Sequence, residues 1–201
     1  MSSTVLYMSM SLDGFVTGPN EGPDNAMGDG GLRLHEWFQT GESGETGHHG
    51  EAPGLTGADR EIWDEVMSTG AVLAGRGTFE GAGGWDGDHH DGVPIFILSR
   101  NEPAPEFARW PNVTYVSSLE SAVDQAKRAA GDRNVLVHGS AIPQWALTAG
   151  LLDELQIHLV PVLLGEGRRL FEHLGVEQRE LETLRVAQGR DATHLRYRVR
   201  R

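Results

Sequence analysis

Residues 134–165 read NVLVHGSAIPQWALTAGLLDELQIHLVPVLLG. The apolar run Val135, Leu136, Val137 predicts a short buried strand, and Gly139 with Ser140 predicts the turn that ends it. AIPQWALTAG then predicts a helix, with Pro143 near its start, where a missing amide costs nothing, and Gly150 at its end. ELQIHLVPVLLG (Glu154–Gly165) predicts a second strand bent at its proline. A strand, a helix and a strand in succession form the unit of a parallel sheet covered by helices.

The chain on either side extends this pattern. TVLYMSM (Thr4–Met10) predicts a strand and SLDG a turn. ADREIWDEVM (Ala58–Met67) predicts a helix stopped near Gly70, and AVLAG (Ala71–Gly75), PIFILS (Pro94–Ser99) and VTYVS (Val113–Ser117) predict strands. Between Ser118 and Gly131 an amphipathic helix turns Leu119, Ala122, Val123 and Ala126 inward, capped by Ser117 or Ser118. Leu181–Ala187 and Thr193–Val199 pair as a hairpin over QGRD. The sum is an α/β fold: a mixed, mainly parallel sheet with helices on both faces and a C-terminal antiparallel hairpin. The expected organisation is one domain over residues 1–201. From Gly14 to Gly57 the chain is dense in Gly, Pro, Asp, Glu and His, interrupted by LRLHEWF (Leu32–Phe38), which reads as a short helix. Loops of this length in compact domains act as lids or are disordered, so 18–57 is expected to form a mobile lid.

With 201 residues, 38% hydrophobic and 23% charged, the chain has the composition of an ordinary globular protein. A formal net charge of −12 argues against nucleic-acid and anionic-membrane partners, since both need clustered cations. The arginines from Arg185 to Arg201 read as strand-face charges. The sequence contains no cysteine, which removes disulfides, thiolate nucleophiles and cysteine-bound metal and suits a reducing cytoplasm. The first ten residues read as a strand, not as a leader.

Three strand ends carry residues suited to phosphate. Gly75, Arg76, Gly77 and Thr78 lead a buried strand into a helix N-terminus, where amides, a hydroxyl and a guanidinium meet an anion. Ser99 and Arg100 close the next strand, at the sheet edge where open α/β folds bind ligands. Gly139 and Ser140 lie between a strand and a helix start, where small side chains let a pyrophosphate approach the backbone. Each has a plain alternative as a tight turn or a solvated arginine. No GxGxxG or Walker pattern is present.

YMSMSLDGFVTG, DREIWDEVMSTGAVLAGRGTFE, PIFILSR and LVHGSAIPQWALTAGLLDELQIHLVPVLLGEGRRLF together resemble the dihydrofolate-reductase-like superfamily. The resemblance is closest to the branch with the riboflavin-biosynthesis reductase domain, and AGLLDELQIHLVPVLLGEGRRLF is its most specific stretch. It implies a three-layer α/β/α fold, an NADPH site and reduction of a small molecule by hydride transfer. By position, Gly75, Arg76, Gly77 and Thr78 match the phosphate-contacting turn, and Ser99 and Arg100 the segment near the adenosine 2′-phosphate. His138, Gly139, Ser140 and Ala141 match a Gly-Gly turn for the pyrophosphate and nicotinamide, and Met10, Ser11, Asp13 and Gly14 the loop flanking the nicotinamide. The resemblance also implies a homodimer, which no feature of the sequence itself shows. Two departures stand out. The glycine pair is replaced by His138-Gly139 or Gly139-Ser140, and Val137 stands where riboflavin reductases carry a Glu. The second argues against the riboflavin pathway's aminouracil ribotide as substrate.

Hydride transfer leaves charge on the substrate, so an acid or a water relay is expected. Asp59 aligns with the substrate-binding carboxylate of dihydrofolate reductases, and it equally suits a helix first turn. Asp13 in SLDG is the second catalytic candidate, with a turn-stabilising role as its alternative. Trp37 and Phe38 either wall a planar substrate or dock the short helix. The pairs His48-His49 and His89-His90 lie in Gly-rich loops expected to be exposed, and no metal is expected there. The expected function is therefore an NADPH-dependent reductase of a planar heterocycle or carbonyl-like compound, with NADH or a deazaflavin left open. A cofactor-binding protein without turnover is the main alternative, and a metal-dependent hydrolase using the histidine pairs a lesser one.

Overall fold

The structure, a computed structural model, describes residues 2–22, 24–39, 54–175 and 177–200. Eight strands form one twisted sheet: β1 (Thr4–Ser11), β3 (Ala71–Gly75), β4 (Ile95–Leu98), β5 (Val113–Val116), β6 (Val135–His138), β7 (Glu154–Val160), β9 (Leu181–Gln188) and β10 (Thr193–Val199). Their order is β5-β4-β3-β6-β1-β7-β10-β9. The first six run parallel, while β10 pairs antiparallel with both β7 and β9. The mixed sheet with its terminal hairpin is the arrangement the sequence predicts.

Period-two alternation sorts the side chains of β1 onto two faces. Leu6 and Met8 join a core with Leu73, Val137 and Leu155, covered by α3 (Leu119–Ala130) and α4 (Ala141–Thr148) through Ala122, Ala126, Ile142 and Ala146. Val5 and Tyr7 join the opposite core with Val72, Ala74 and Leu136, covered by Phe79 of α2 (Arg76–Gly81) and Val66 of α1 (Gly57–Met67). Helices therefore lie on both faces. Ser118 caps α3 by accepting the Ser121 amide at 3.3 Å, which decides between the two serines.

Three local expectations are corrected. The strand read over Glu154–Gly165 stops at Val160, because Pro161 cannot donate to a ladder; Leu12 N–H instead bonds the Val162 carbonyl at 2.9 Å. The short helix at Leu32–Phe38 is a 3-10 turn over Gly31–His35. A small antiparallel pair, β2 (Phe15–Thr17) with β8 (Arg168–Arg169), was not foreseen. Gly167, at φ +137°, lies where any Cβ would strike the Thr17 carbonyl, so only glycine lets the two strands meet.

The expected lid is partly defined. Residues 40–53, including His48-His49, lie outside the described residues. Leu34 and Trp37, by contrast, are 0% and 2% exposed and pack with Ile62, Val160 and Ala192, so Trp37 docks the 3-10 turn onto the sheet. No helix among the described residues is long and apolar enough to cross a membrane.

Candidate active site

The carboxyl ends of β1, β3, β4 and β6 share one edge of the sheet, and two adjoining clefts open there. The larger, of about 590 Å³, is walled by Met8, His35, Thr78, Trp85, His138 and Gly139. The smaller, of about 280 Å³, is walled by Gly75, Arg76, Leu98, Ala141, Ile142 and Trp145. Gly77, Thr78, Ser140, Glu21 and Arg168 line both, so the seam runs between the β3–α2 and β6–α4 turns.

Backbone geometry sets the shape of that seam. Gly139 has φ +94°, and a Cβ there would lie 2.5 Å from Thr78 Oγ1; a side chain at 139 is thus excluded where its backbone meets Thr78. Neither N-cap residue, Gly75 of α2 or Ser140 of α4, satisfies its helix's first amides with a side chain. Those donors are left to a ligand or to water. This fits a pyrophosphate, which needs close backbone approach and amide donors.

The cations are partly committed. Arg76 Nε bonds both oxygens of Glu80 at 2.8 Å, and Glu80 also accepts from the Tyr115 hydroxyl at 3.2 Å. Arg168 pairs with Glu21 at 2.9 Å. Ser99 spends its hydroxyl in a local turn, donating to the Asn101 carbonyl at 2.8 Å and accepting the Asn101 amide at 3.1 Å. Arg100 is exposed just beyond. From β4 it is Leu98, not Ser99 or Arg100, that lines the smaller cleft.

The comparisons with known proteins fit this geometry. The RibD C-terminal domain family matches residues 3–195. The chain belongs to that family. No curated protein matches it significantly. Among solved structures, a riboflavin-biosynthesis-type protein of Shewanella sp. PV-4 superposes with a TM-score of 0.71 at 19% identity, over 99% of each chain. RibD of Acinetobacter baumannii gives 0.60 at 18% identity, over all of this chain and 59% of that one. Dihydrofolate reductase of Enterococcus faecalis, in complex with NADP(H), gives 0.53 at 14% identity over 98% and 96%. The fold is dihydrofolate-reductase-like.

In this RibD C-terminal domain the two expected acids stand apart from both clefts. Asp13 ties the β1–β2 turn to the loop after β7: it accepts from Ser11 Oγ at 2.6 Å, Gly165 N at 2.7 Å and Leu164 N at 3.1 Å. The Ser11 hydroxyl first, with those two amides, holds its carboxyl down at about 2, so Asp13 carries no proton to give near neutrality. Ser11 Oγ also accepts the Phe15 amide at 2.9 Å, and Gly14 takes φ +92° beneath Arg169. Met10, Ser11, Asp13 and Gly14 do not line either cleft; from the first strand it is Met8 that does. Asp59 is 5% exposed and bonded to His194 at 2.9 Å.

Histidine is where sequence reading fell short. His90 is 0% exposed and bonded to Thr69, and the His89 ring stands 4.8 Å from Trp85 and 6.0 Å from His138. The expectation of an exposed His89-His90 loop is corrected. Positive φ at Gly83, Gly84, Gly87 and Gly92 folds the loop inward, and Gly84 and Gly87 leave room for Trp110 that a Cβ would fill. Among the described residues no group of three or more His, Asp or Glu is placed to hold a metal ion. Burial first, then mutual repulsion, pushes His35 down to about 4 and His89 well below the usual imidazole range; burial does the same, by less, to His138. The floor of the larger cleft is therefore an uncharged wall of imidazole and indole. Nothing in the Gly/Asp/His composition of 83–92 marked it; the signal was Trp85 and Phe79 flanking the glycines.

Proposed function

We propose that the protein is a cytoplasmic NADPH-dependent reductase of a small, flat heterocyclic or carbonyl-like compound. The observation that carries this reading is the seam where the bare Gly139 backbone meets the Thr78 hydroxyl, between two helix starts whose first amides no N-cap side chain takes. Gly139, Ser140 and Ala141 would hold the pyrophosphate with Gly75, Gly77 and Thr78, while Leu98 and Trp145 enclose the adenosine half in the smaller cleft. Arg100, exposed just beyond β4, and the terminal nitrogens of Arg76 would read the 2′-phosphate. When bound, the cofactor supplies hydride. His138, Met8 and Trp85 would wall the reacting rings, and the uncharged imidazoles favour a neutral aromatic guest over an anion. Residues 18–22 and 24–30, which bring Glu21, Gly22, Ala26 and Met27 to the larger cleft, would exclude bulk water when closed. With Asp13 and Asp59 both committed elsewhere, the proton is assigned to a single water retained against the substrate as the cleft closes and bulk water leaves.

Thermal unfolding at fixed protein concentration tests the reading. Ligand at about 100 times its dissociation constant adds about 2.7 kcal/mol, a rise of roughly 5–10 °C for a chain of this size. A rise of that order with NADPH and a much smaller one with NADH is expected. No rise with either overturns the nicotinamide reading, though not the fold.

A further inference from the structure

Against Trp37, just past the 3-10 turn that carries His35, lies a hydrogen-bonded row that the proposed chemistry does not use. Asp59 Oδ1 lies 2.9 Å from His194 Nε2, and His194 Nδ1 lies 2.9 Å from His158 Nδ1. Asp59 Oδ2 accepts the Arg190 amide at 2.9 Å. The three side chains come from α1, β10 and β7 and are 5%, 0% and 3% exposed. Gly189 borders the row, and a Cβ there would strike Asp59 Oδ1 and His194 Nε2.

The chemistry gives the row a direction. A carboxylate only accepts, so His194 carries its proton on Nε2 and presents a lone pair at Nδ1. That lone pair takes the Nδ1–H of His158, so one carboxylate sets the tautomer and the orientation of both rings. The rings in turn form a seat for Trp37, whose indole stands 4.6 Å from His158 and 4.9 Å from His194 and donates Nε1–H to Ser9 Oγ at 2.9 Å. Trp37 continues the 3-10 turn that carries His35, and the His35 ring packs at 5.1 Å on Phe38 while lining the larger cleft.

We propose that Asp59 is a positioning residue: through His194, His158 and Trp37 it fixes residues 31–38 on the sheet and so holds the His35 ring in the wall of the cleft. Charged and titratable neighbours of the row are Arg185 of β9, itself held by Glu65 of α1 at 2.7 Å, Arg190, Glu36 and His35. Arg185 and His35 add to burial in disfavouring a charged His158, which keeps the one-proton contact between the imidazoles.

The test uses the full chain and two readouts. In the wild-type protein NMR titration is expected to find the His35 ring held down at about 4 by burial; in Asp59→Asn its midpoint is expected to move up toward 6.5, the ordinary histidine value, while His89 stays where it was. The second readout, which rests on the NADPH reading, compares two ligands. Asp59→Asn weakens NADPH by about tenfold and leaves adenosine 2′,5′-bisphosphate, which reaches the smaller cleft alone, within about twofold of wild type. An unchanged His35 midpoint, or equal weakening of both ligands, overturns the proposal. A wild-type protein that binds neither ligand defeats the NADPH reading, and the His35 titration then decides the positioning role alone. Should Asp59→Asn fail to fold, acid titration of the wild type decides: the Trp37 indole N–H signal must shift in step with the rings of His158 and His194, and a silent Trp37 contradicts the proposal.

Discussion

Gly139→Ala is expected to lower NADPH affinity by well over tenfold and to cost roughly 2–6 kcal/mol of stability. The stability loss has two sources. A non-glycine residue at φ +94° carries a strain of about 1–3 kcal/mol. The new methyl group would also lie 2.5 Å from Thr78 Oγ1, so the β6–α4 turn and α2 must separate, an overpacking cost of about 1–3 kcal/mol. For this chain length the sum lowers the unfolding midpoint by roughly 4–24 °C. The affinity loss is local, because the turns that part are those proposed to cradle the pyrophosphate. Calorimetric titration with NADPH beside a melting curve checks both. An alanine protein with wild-type affinity removes the seam from the cofactor site, whatever its stability.

Mild acid is the second large effect. His35, His89, His90, His138, His158 and His194 are all held below the ordinary histidine value, burial being the first cause in every case. A folded-state pKa below the unfolded one means that the unfolded chain binds more protons below about pH 6.5. Their stabilisation is therefore complete above that pH and is lost on acidification toward pH 4, where His35 titrates. Each such imidazole loses up to about 1.4 kcal/mol per pH unit in this window. Two acting together at that full slope lower the midpoint by about 5–11 °C per unit. Asp13 adds its own loss only below its ordinary value of about 3.8, where the unfolded chain takes up the proton that the folded carboxyl, held at about 2, does not. Melting curves from pH 7.5 to pH 5 read the effect. A flat profile across that range contradicts the buried, neutral imidazoles.

The fold was legible because its elements obey local rules. The strand–turn–helix–strand unit from Val135 to Val160, the Ser118 cap and the Gln188–Thr193 hairpin end all follow from periodicity, proline and glycine placement and a capping hydroxyl. What sequence reasoning missed depends on contacts distant in the chain. The pair β2–β8 is too short to show a period, yet it brings Arg168 to both clefts. Met8 rather than Met10 faces the larger cleft although both point to the same side of β1, a difference in height along the strand that alternation does not encode. Asp59 was singled out, but its partner His194 lies 135 residues away. His158 and His194 attracted no attention, because a single histidine in an apolar strand has no local signature of the ring it will face across a sheet.

We propose above all that a phosphate-bearing nicotinamide cofactor lies across the ends of β3 and β6. A crystal structure of the protein grown with NADPH tests it most directly. The account predicts the pyrophosphate over Gly139–Ala141 and Gly77–Thr78, the adenosine between Leu98 and Trp145, and the nicotinamide beside Met8 and His138. NADPH bound elsewhere, or His138 occupying the nicotinamide's place with the cofactor excluded, would contradict it.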